Sequence, residues 1–171
     1  MKFNQLHPFL LFILLVTVLL SSCSSTDCPL NNTVSLKANF YYSKTGALTN
    51  VNDTLSVIAV GRRDTTILNR YIKFNTINLP MGYAQTVDTL LFRFITNYGS
   101  VTDSVFIGHT NEPHFVSLDC STAFFHQIKS VSCTHRNPTP NFPTAIDSIL
   151  IVNPSVSYDK TENLKIFFST Y

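Results

Sequence analysis

The sequence predicts an all-β fold, an antiparallel two-sheet sandwich, and three observations predict it. Apolar and polar residues alternate with period two through most of the chain. Clusters of turn-forming residues punctuate that alternation at short intervals. No heptads, no glycine-rich phosphate loop and no long helical pattern interrupt it. Composition agrees. Charged residues are 13% of the chain, about half the usual quarter, while apolar residues are an ordinary 44%. The low charge is therefore not disorder, and the polar surface consists of Ser, Thr and Asn. The net charge of +2, with no basic stripe among the aromatics, points away from a nucleic-acid partner.

The first element is an export signal. Lys2 is followed by an apolar run from Phe9 to Leu20 that only Thr17 interrupts. The run is shorter than the roughly 20 apolar residues a membrane-spanning helix needs, and it suits a signal-peptide core of about 7–15 residues. It ends in Leu20-Ser21-Ser22-Cys23, which resembles the bacterial lipobox. The resemblance implies that residues 1–22 are removed and that the Cys23 thiol receives a diacylglycerol thioether, with palmitate-type acyl chains as membrane anchor. No other cofactor is expected. Residues 23–32 then form a lipidated arm, and residues 33–171 a single domain with a real hydrophobic core.

The strands follow in order. Thr33–Tyr42 is the clearest: Val34, Leu36, Ala38, Phe40 and Tyr42 share one face, and Thr33, Ser35, Lys37, Asn39 and Tyr41 the other. Further strands are expected over Asp53–Val60, Thr65–Asn69, Lys73–Leu79, Val87–Thr96, Thr102–His109, His114–Leu118, Asp147–Val152 and Leu164–Ser169. Turns are expected at Lys44-Thr45-Gly46, Gly61-Arg62-Arg63, Pro80-Met81-Gly82, Asn97-Tyr98-Gly99 and Asn111-Glu112-Pro113. Ser121–Val131 reads either as a short helix, with Phe124 and Ile128 on one face, or as a strand. The reading adopted is a helical turn followed by a strand. Arg136–Pro143 holds three prolines and is expected to be a solvated loop. About 8–9 short strands at this spacing suit an immunoglobulin-like or related sandwich. An outer-membrane barrel, suggested by the terminal aromatic Tyr171, is rejected because the outward positions of Thr33–Tyr42 are polar where a barrel carries an apolar band.

Three cysteines follow Cys23: Cys28, Cys120 and Cys133. In an exported protein they predict one bridge and one leftover thiol. Cys28–Cys120 would pin the arm to the sandwich; Cys120–Cys133 is the local rival. His109, His114, His126 and His135 lack the compact spacing of a zinc site, although His109 and His114 flank an expected tight turn. The acids lack a calcium-loop pattern, so no metal is expected. Cys133 lies two residues from His135, the minimum for a thiol hydrolase, but no orienting third group accompanies them. No serine-hydrolase or zinc-protease motif appears, and the chain is not expected to be an enzyme. Tyr41, Tyr42, Tyr83 and Tyr98 are candidates for a sugar-stacking platform.

Asp27-Cys28-Pro29-Leu30, Leu79-Pro80-Met81, His109-Thr110-Asn111, Asp119-Cys120 and Glu162-Asn163-Leu164-Lys165-Ile166 stand beside the lipobox. With them, the chain resembles an uncharacterised family of small lipoproteins from Bacteroides and related gut bacteria. The resemblance covers nearly all of residues 23–171. It implies a two-membrane envelope and an outer-membrane address. Ser24-Ser25-Thr26-Asp27 holds a single acid after the lipidated cysteine, which favours the periplasmic face over the cell surface. It carries no activity with it. The expected role is a non-enzymatic binding or structural module with an envelope protein or glycan as partner; the alternative is an adhesin or pilus-type subunit.

Five aspartates precede Ser or Thr and then an apolar residue or Thr: Asp53-Thr54-Leu55, Asp64-Thr65-Thr66, Asp88-Thr89-Leu90, Asp103-Ser104-Val105 and Asp147-Ser148-Ile149. Composition alone gives about one such triplet. Turn chemistry at strand starts is one explanation. The resemblance implies another, because such bacteria attach O-glycans at this motif. It makes Thr54, Thr65, Thr89, Ser104 and Ser148 candidate acceptors.

Overall fold

The computed structural model describes residues 34–115, 117 and 120–171. The signal peptide, Cys23, Cys28 and the arm over 23–32 lie outside the described residues. Eleven strands are present among those described: β1 (Leu36–Tyr42), β2 (Ala47–Leu48), β3 (Thr54–Ala59), β4 (Thr65–Tyr71), β5 (Thr76–Leu79), β6 (Val87–Thr96), β7 (Gly99–His114), β8 (Ala123–Cys133), β9 (Thr144–Ile151), β10 (Ser155–Val156) and β11 (Glu162–Thr170). They form the two packed sheets of an all-β sandwich. The six-stranded sheet runs β10-β8-β7-β6-β3-β4, and the other runs β2-β1-β11-β9 with β5 also on β1. β5 pairs with Leu36–Asn39 and β2 with Tyr41–Tyr42, so the two short strands share the β1 edge opposite β11.

Period two places the core. In β1, Leu36, Ala38 and Phe40 are fully enclosed, as the alternation predicts. Leu90, Phe92 and Phe94 of β6 belong to the other sheet and share this core, and Leu164, Ile166 and Phe168 of β11 lie beside β1 in its own sheet. Phe40 meets Phe74 edge-on at 5.1 Å and Phe168 at 6.4 Å, the arrangement that aromatic quadrupoles prefer.

The structure corrects four expectations. Strands among the described residues number eleven rather than 8–9, because the short β2 and β10 carry little alternation to read. Ser121–Val131 contains no helical turn; β8 runs from Ala123 to Cys133 and pairs antiparallel with β7. Asn111-Glu112-Pro113 is not a turn. These residues continue β7 to His114, opposite His126, Phe125 and Phe124, so β7 is one strand of 16 residues. Of the strand expected over His114–Leu118 only His114 is in a strand, Phe115 and Ser117 are not, and 116 and 118 lie outside the described residues. The pairing is antiparallel throughout except that β1 and β11 lie parallel, from Lys37 opposite Glu162 to Tyr42 opposite Phe168. Lys44-Thr45-Gly46 is a turn as expected, with Gly46 at φ +66°, where a side chain is costly.

Candidate functional site

The inward positions of β7 are polar at both ends and apolar between: Asp103, Val105, Ile107 and His109, each at most 3% exposed. The β1-to-β11 core fills the middle of the sandwich, and a polar cluster closes each end. The richer cluster lies around His109. Alternation turns Asp88 of β6, His109 of β7 and His126 of β8 inward near one end of the sheet. A bulge between Gly108 and His109 resets the β7–β8 register at this point.

Asn111 organises the cluster. Its amide nitrogen donates to the carbonyls of Tyr83 (2.9 Å) and Gln85 (2.7 Å), which fixes which end of the amide is oxygen. The oxygen therefore accepts from Nδ1 of His109 at 2.8 Å and Nδ1 of His126 at 2.7 Å. Both imidazoles thus carry their proton on Nδ1. Nε2 of His109 is buried and lies 3.2 Å from Asp88 Oδ2 with no hydrogen bond between them; the two make an ion pair only when the imidazole carries a second proton. Asp88 also accepts from Gly82 N at 2.9 Å and from Gln85 Nε2 at 2.5 Å. His109 N donates to Thr86 O. The connection between β5 and β6, residues 80–86, is clamped to the sheet at Gly82, Tyr83, Gln85 and Thr86. A Cβ at Gly82 would stand 2.7 Å from Asp88 Oδ1, so a larger residue there must displace a carboxylate that hydrogen bonds hold. Burial, and next the neighbouring His109, push the His126 pKa down, with Asp88 opposing them.

Two hollows flank the clamped connection. One is a groove of about 700 Å³ between it and β3, β4 and β6, with Ala59, Ile67, Met81 and Leu90 as its apolar lining and Arg62 and Gln85 as polar members. The other is a cleft of about 240 Å³ at the start of β8, lined by Met81, Tyr83, Phe124 and His126 among others. Met81 and Tyr83 line both. Tyr83 stacks on Phe124 at 5.1 Å and 17°.

The opposite end is closed by Asp103. It accepts from Arg136 Nε at 2.9 Å, Arg136 Nη2 at 3.3 Å and Ile146 N at 3.1 Å, while Arg136 also donates to the Thr144 carbonyl. The 136–143 loop is exposed at Asn137 and Thr139–Asn141 and half-buried elsewhere, and its first residue is tied into the core. Asn163 makes a third polar tie. It accepts from Lys37 N and donates to the carbonyls of Asn153 and Ser155, which joins β1, β11 and the approach to β10.

The remaining candidate residues scatter. His109 and His114 do not meet across a hairpin, because no turn separates them; His109 meets His126 at 5.3 Å, and His114 stacks on Phe125 at 4.2 Å. Among the described residues no group of three or more His, Cys, Asp or Glu side chains is arranged to hold a metal. Cys133 is a free thiol at the end of β8, so the Cys120–Cys133 pairing is not formed. Burial, and then Asp103 and Asp147, push its pKa up, the reverse of what a nucleophile needs. His135 lies beyond β8 and is exposed. Tyr83 and Tyr98 sit at opposite ends of β6, and Tyr41 packs on Phe167, so the four tyrosines make no shared platform.

The Asp-Ser/Thr motifs are not all at strand starts. Thr54 and Thr65 open β3 and β4, but Asp88 is second in β6, and Asp103 and Asp147 lie within β7 and β9. Those three carboxylates turn inward to partners, with Asp147 accepting from Ser43 and Ser169 hydroxyls. The hydroxyl residue that follows faces the other way. Thr65 and Ser148 are exposed, and Thr54, Thr89 and Ser104 are half-buried. The polar clusters were missed in the sequence because Asp88, His109 and Asn111 are too far apart to suggest contact. Their shared signal was a polar residue at an inward position of an otherwise apolar alternation.

No curated protein and no solved structure matches the chain. Residues 54–168, which include Asp88, His109, Asn111, His126, Asp103 and Arg136, match a family model, and the chain belongs to that family of unknown function, DUF6452.

Proposed function

We propose that the chain is a lipid-anchored protein of a Bacteroides-type cell envelope. It is tethered through Cys23 to the outer membrane, on the periplasmic face, and works as a non-enzymatic binding module for an envelope protein or glycan. The observation that carries the binding role is the groove of about 700 Å³, within the range of ligand sites, whose wall at residues 80–86 is held in place from inside by Asp88 and Asn111. Preorganised walls lower the ordering cost of binding. The address is supported by the apolar run ending in Leu20-Ser21-Ser22-Cys23. A non-enzymatic role is supported by the enclosure of His109 and by the burial that keeps Cys133 a thiol. A Cys28–Cys120 bridge belongs to this reading, supported by Cys133 standing as the free thiol. So do O-glycans on Thr54, Thr65, Thr89, Ser104 and Ser148, of which Thr65 and Ser148 present the most accessible hydroxyls.

Intact mass of the protein from its native host tests the address. Acyl increments on Cys23 are expected, and a processed N-terminus at any other residue overturns it. Cross-linking in native envelopes tests the groove. Ile67→Glu should cut capture of the wild-type partner by about tenfold, as loss of a buried apolar contact does. Undiminished capture moves the binding surface elsewhere.

A further inference from the structure

We infer that the 240 Å³ cleft at the start of β8 is a second ligand site, taking a single apolar ring that bears one hydrogen-bond donor, with phenol as the simplest example. The inference does not depend on the groove or on the lipid anchor. It starts from His126, which is 5% exposed. Asn111 Oδ1 holds its Nδ1 proton, and Asn111 is itself locked by two backbone carbonyls. In the neutral imidazole the lone pair is therefore on Nε2. That atom makes no hydrogen bond among the described residues, yet it is not sealed off as Nε2 of His109 is. It is an acceptor of fixed tautomer opening onto the cleft that its ring lines.

The rest of the lining sets the ligand class. Val34, Met81, Ala123 and Phe124 are apolar, Tyr83 presents a ring and one hydroxyl, and Thr122 is the other polar side chain beside His126. A pyranose would bring more hydroxyls than Tyr83, Thr122 and His126 can pair, and unpaired buried hydroxyls are unfavourable. A plain hydrocarbon would leave Nε2 without a donor once water is displaced. One ring with one hydroxyl satisfies both demands. The volume is below the usual range for drug-sized ligands of about 300–1,000 Å³, which limits the ligand to a single ring.

The test uses the whole protein with ¹⁵N-labelled histidine rings, titrated with phenol, anisole and glucose at matched free concentrations. Phenol should saturably shift the Nε2 resonance of His126. Anisole, with the same ring and no donor, should bind about tenfold more weakly, the discrimination expected when a buried acceptor is left unpaired. His126→Phe, checked for an unchanged β spectrum, should lose the phenol preference. Equal binding of phenol and anisole, no shift at His126 Nε2, or saturation by glucose in preference to phenol each overturns the inference. The phenol–anisole comparison on the unaltered protein stands even if the variant does not fold.

Discussion

Replacing Asn111 by alanine takes a shared acceptor from two imidazoles and two donors from the backbone of residues 83 and 85. Two Nδ1–H groups are left in a buried site, each costing about 1–3 kcal/mol. Asn111→Ala should destabilise the fold by about 3 kcal/mol in urea unfolding; a change within error would show that water replaces the amide. His126 adds a pH dependence. Its folded-state pKa is lowered by burial first and His109 second, so the folded protein binds fewer protons there than the unfolded chain. The charged and titratable groups facing it are Asp88 from β6 and His109 from β7. Stability should be intact above the ordinary histidine range and should fall as pH drops through about 6.5. His126→Gln should flatten that fall, read as the urea midpoint against pH. None of this was legible from residue type alone. The Asp-Ser/Thr motif drew attention to hydroxyls at 89 and 104, while the buried partners are the aspartates one position earlier.

At the scale of elements, alternation located β1, β3, β6 and β11 within a few residues, because one face of each is buried and the period is unambiguous. It failed over β8 for a geometric reason. Phe124 and Ile128 are four apart, which places them on one face of a helix and equally on one face of a strand. The deciding residue is His126 between them, inward on a strand and off-face on a helix. The failure at Asn111-Glu112-Pro113 is different. Each residue favours turns, but pairing with Phe124–His126 outweighs that local preference. Gly108, next to the bulge, gives a test of packing between strands. A Cβ there would lie 2.5 Å from Ser130 Oγ, the mobile tip of a small side chain. Glycine in a strand otherwise costs about 0.5–1 kcal/mol relative to alanine. Gly108→Ala should therefore stabilise the protein when Ser130 is also alanine, and should gain less or lose with Ser130 present. Equal effects in the two backgrounds would remove the contact from consideration. Gly46→Ala has open space but φ +66°, and should cost about 1 kcal/mol by backbone strain alone.

Over the whole molecule, what the sequence could not disclose is which strand lies beside which. Period two assigns faces and not neighbours, so the parallel pairing of the first described strand with the last was invisible. So was the way polar residues tie the sheets together across the core. Asp103 shows how that tie works. It sits on β7 of the six-stranded sheet and accepts from Ile146 N on β9 of the other sheet. Arg136, in the loop between β8 and β9, joins Asp103 to the Thr144 carbonyl. The carboxylate is fully enclosed, while the Arg136 side chain keeps 21% of its surface. Removing the arginine strands a buried charge, which costs about 3–5 kcal/mol, and the partial exposure of Arg136 places this pair near the lower end. Arg136→Met should accordingly destabilise the sandwich by about 3 kcal/mol. Adding Asp103→Asn keeps an oxygen for Ile146 N and removes the stranded charge. The double variant should therefore be more stable than Arg136→Met alone, although Asp103→Asn by itself weakens the native protein. Urea unfolding of the four proteins closes the cycle, and a double variant less stable than Arg136→Met would show that Asp103 acts on β9 independently of its charge.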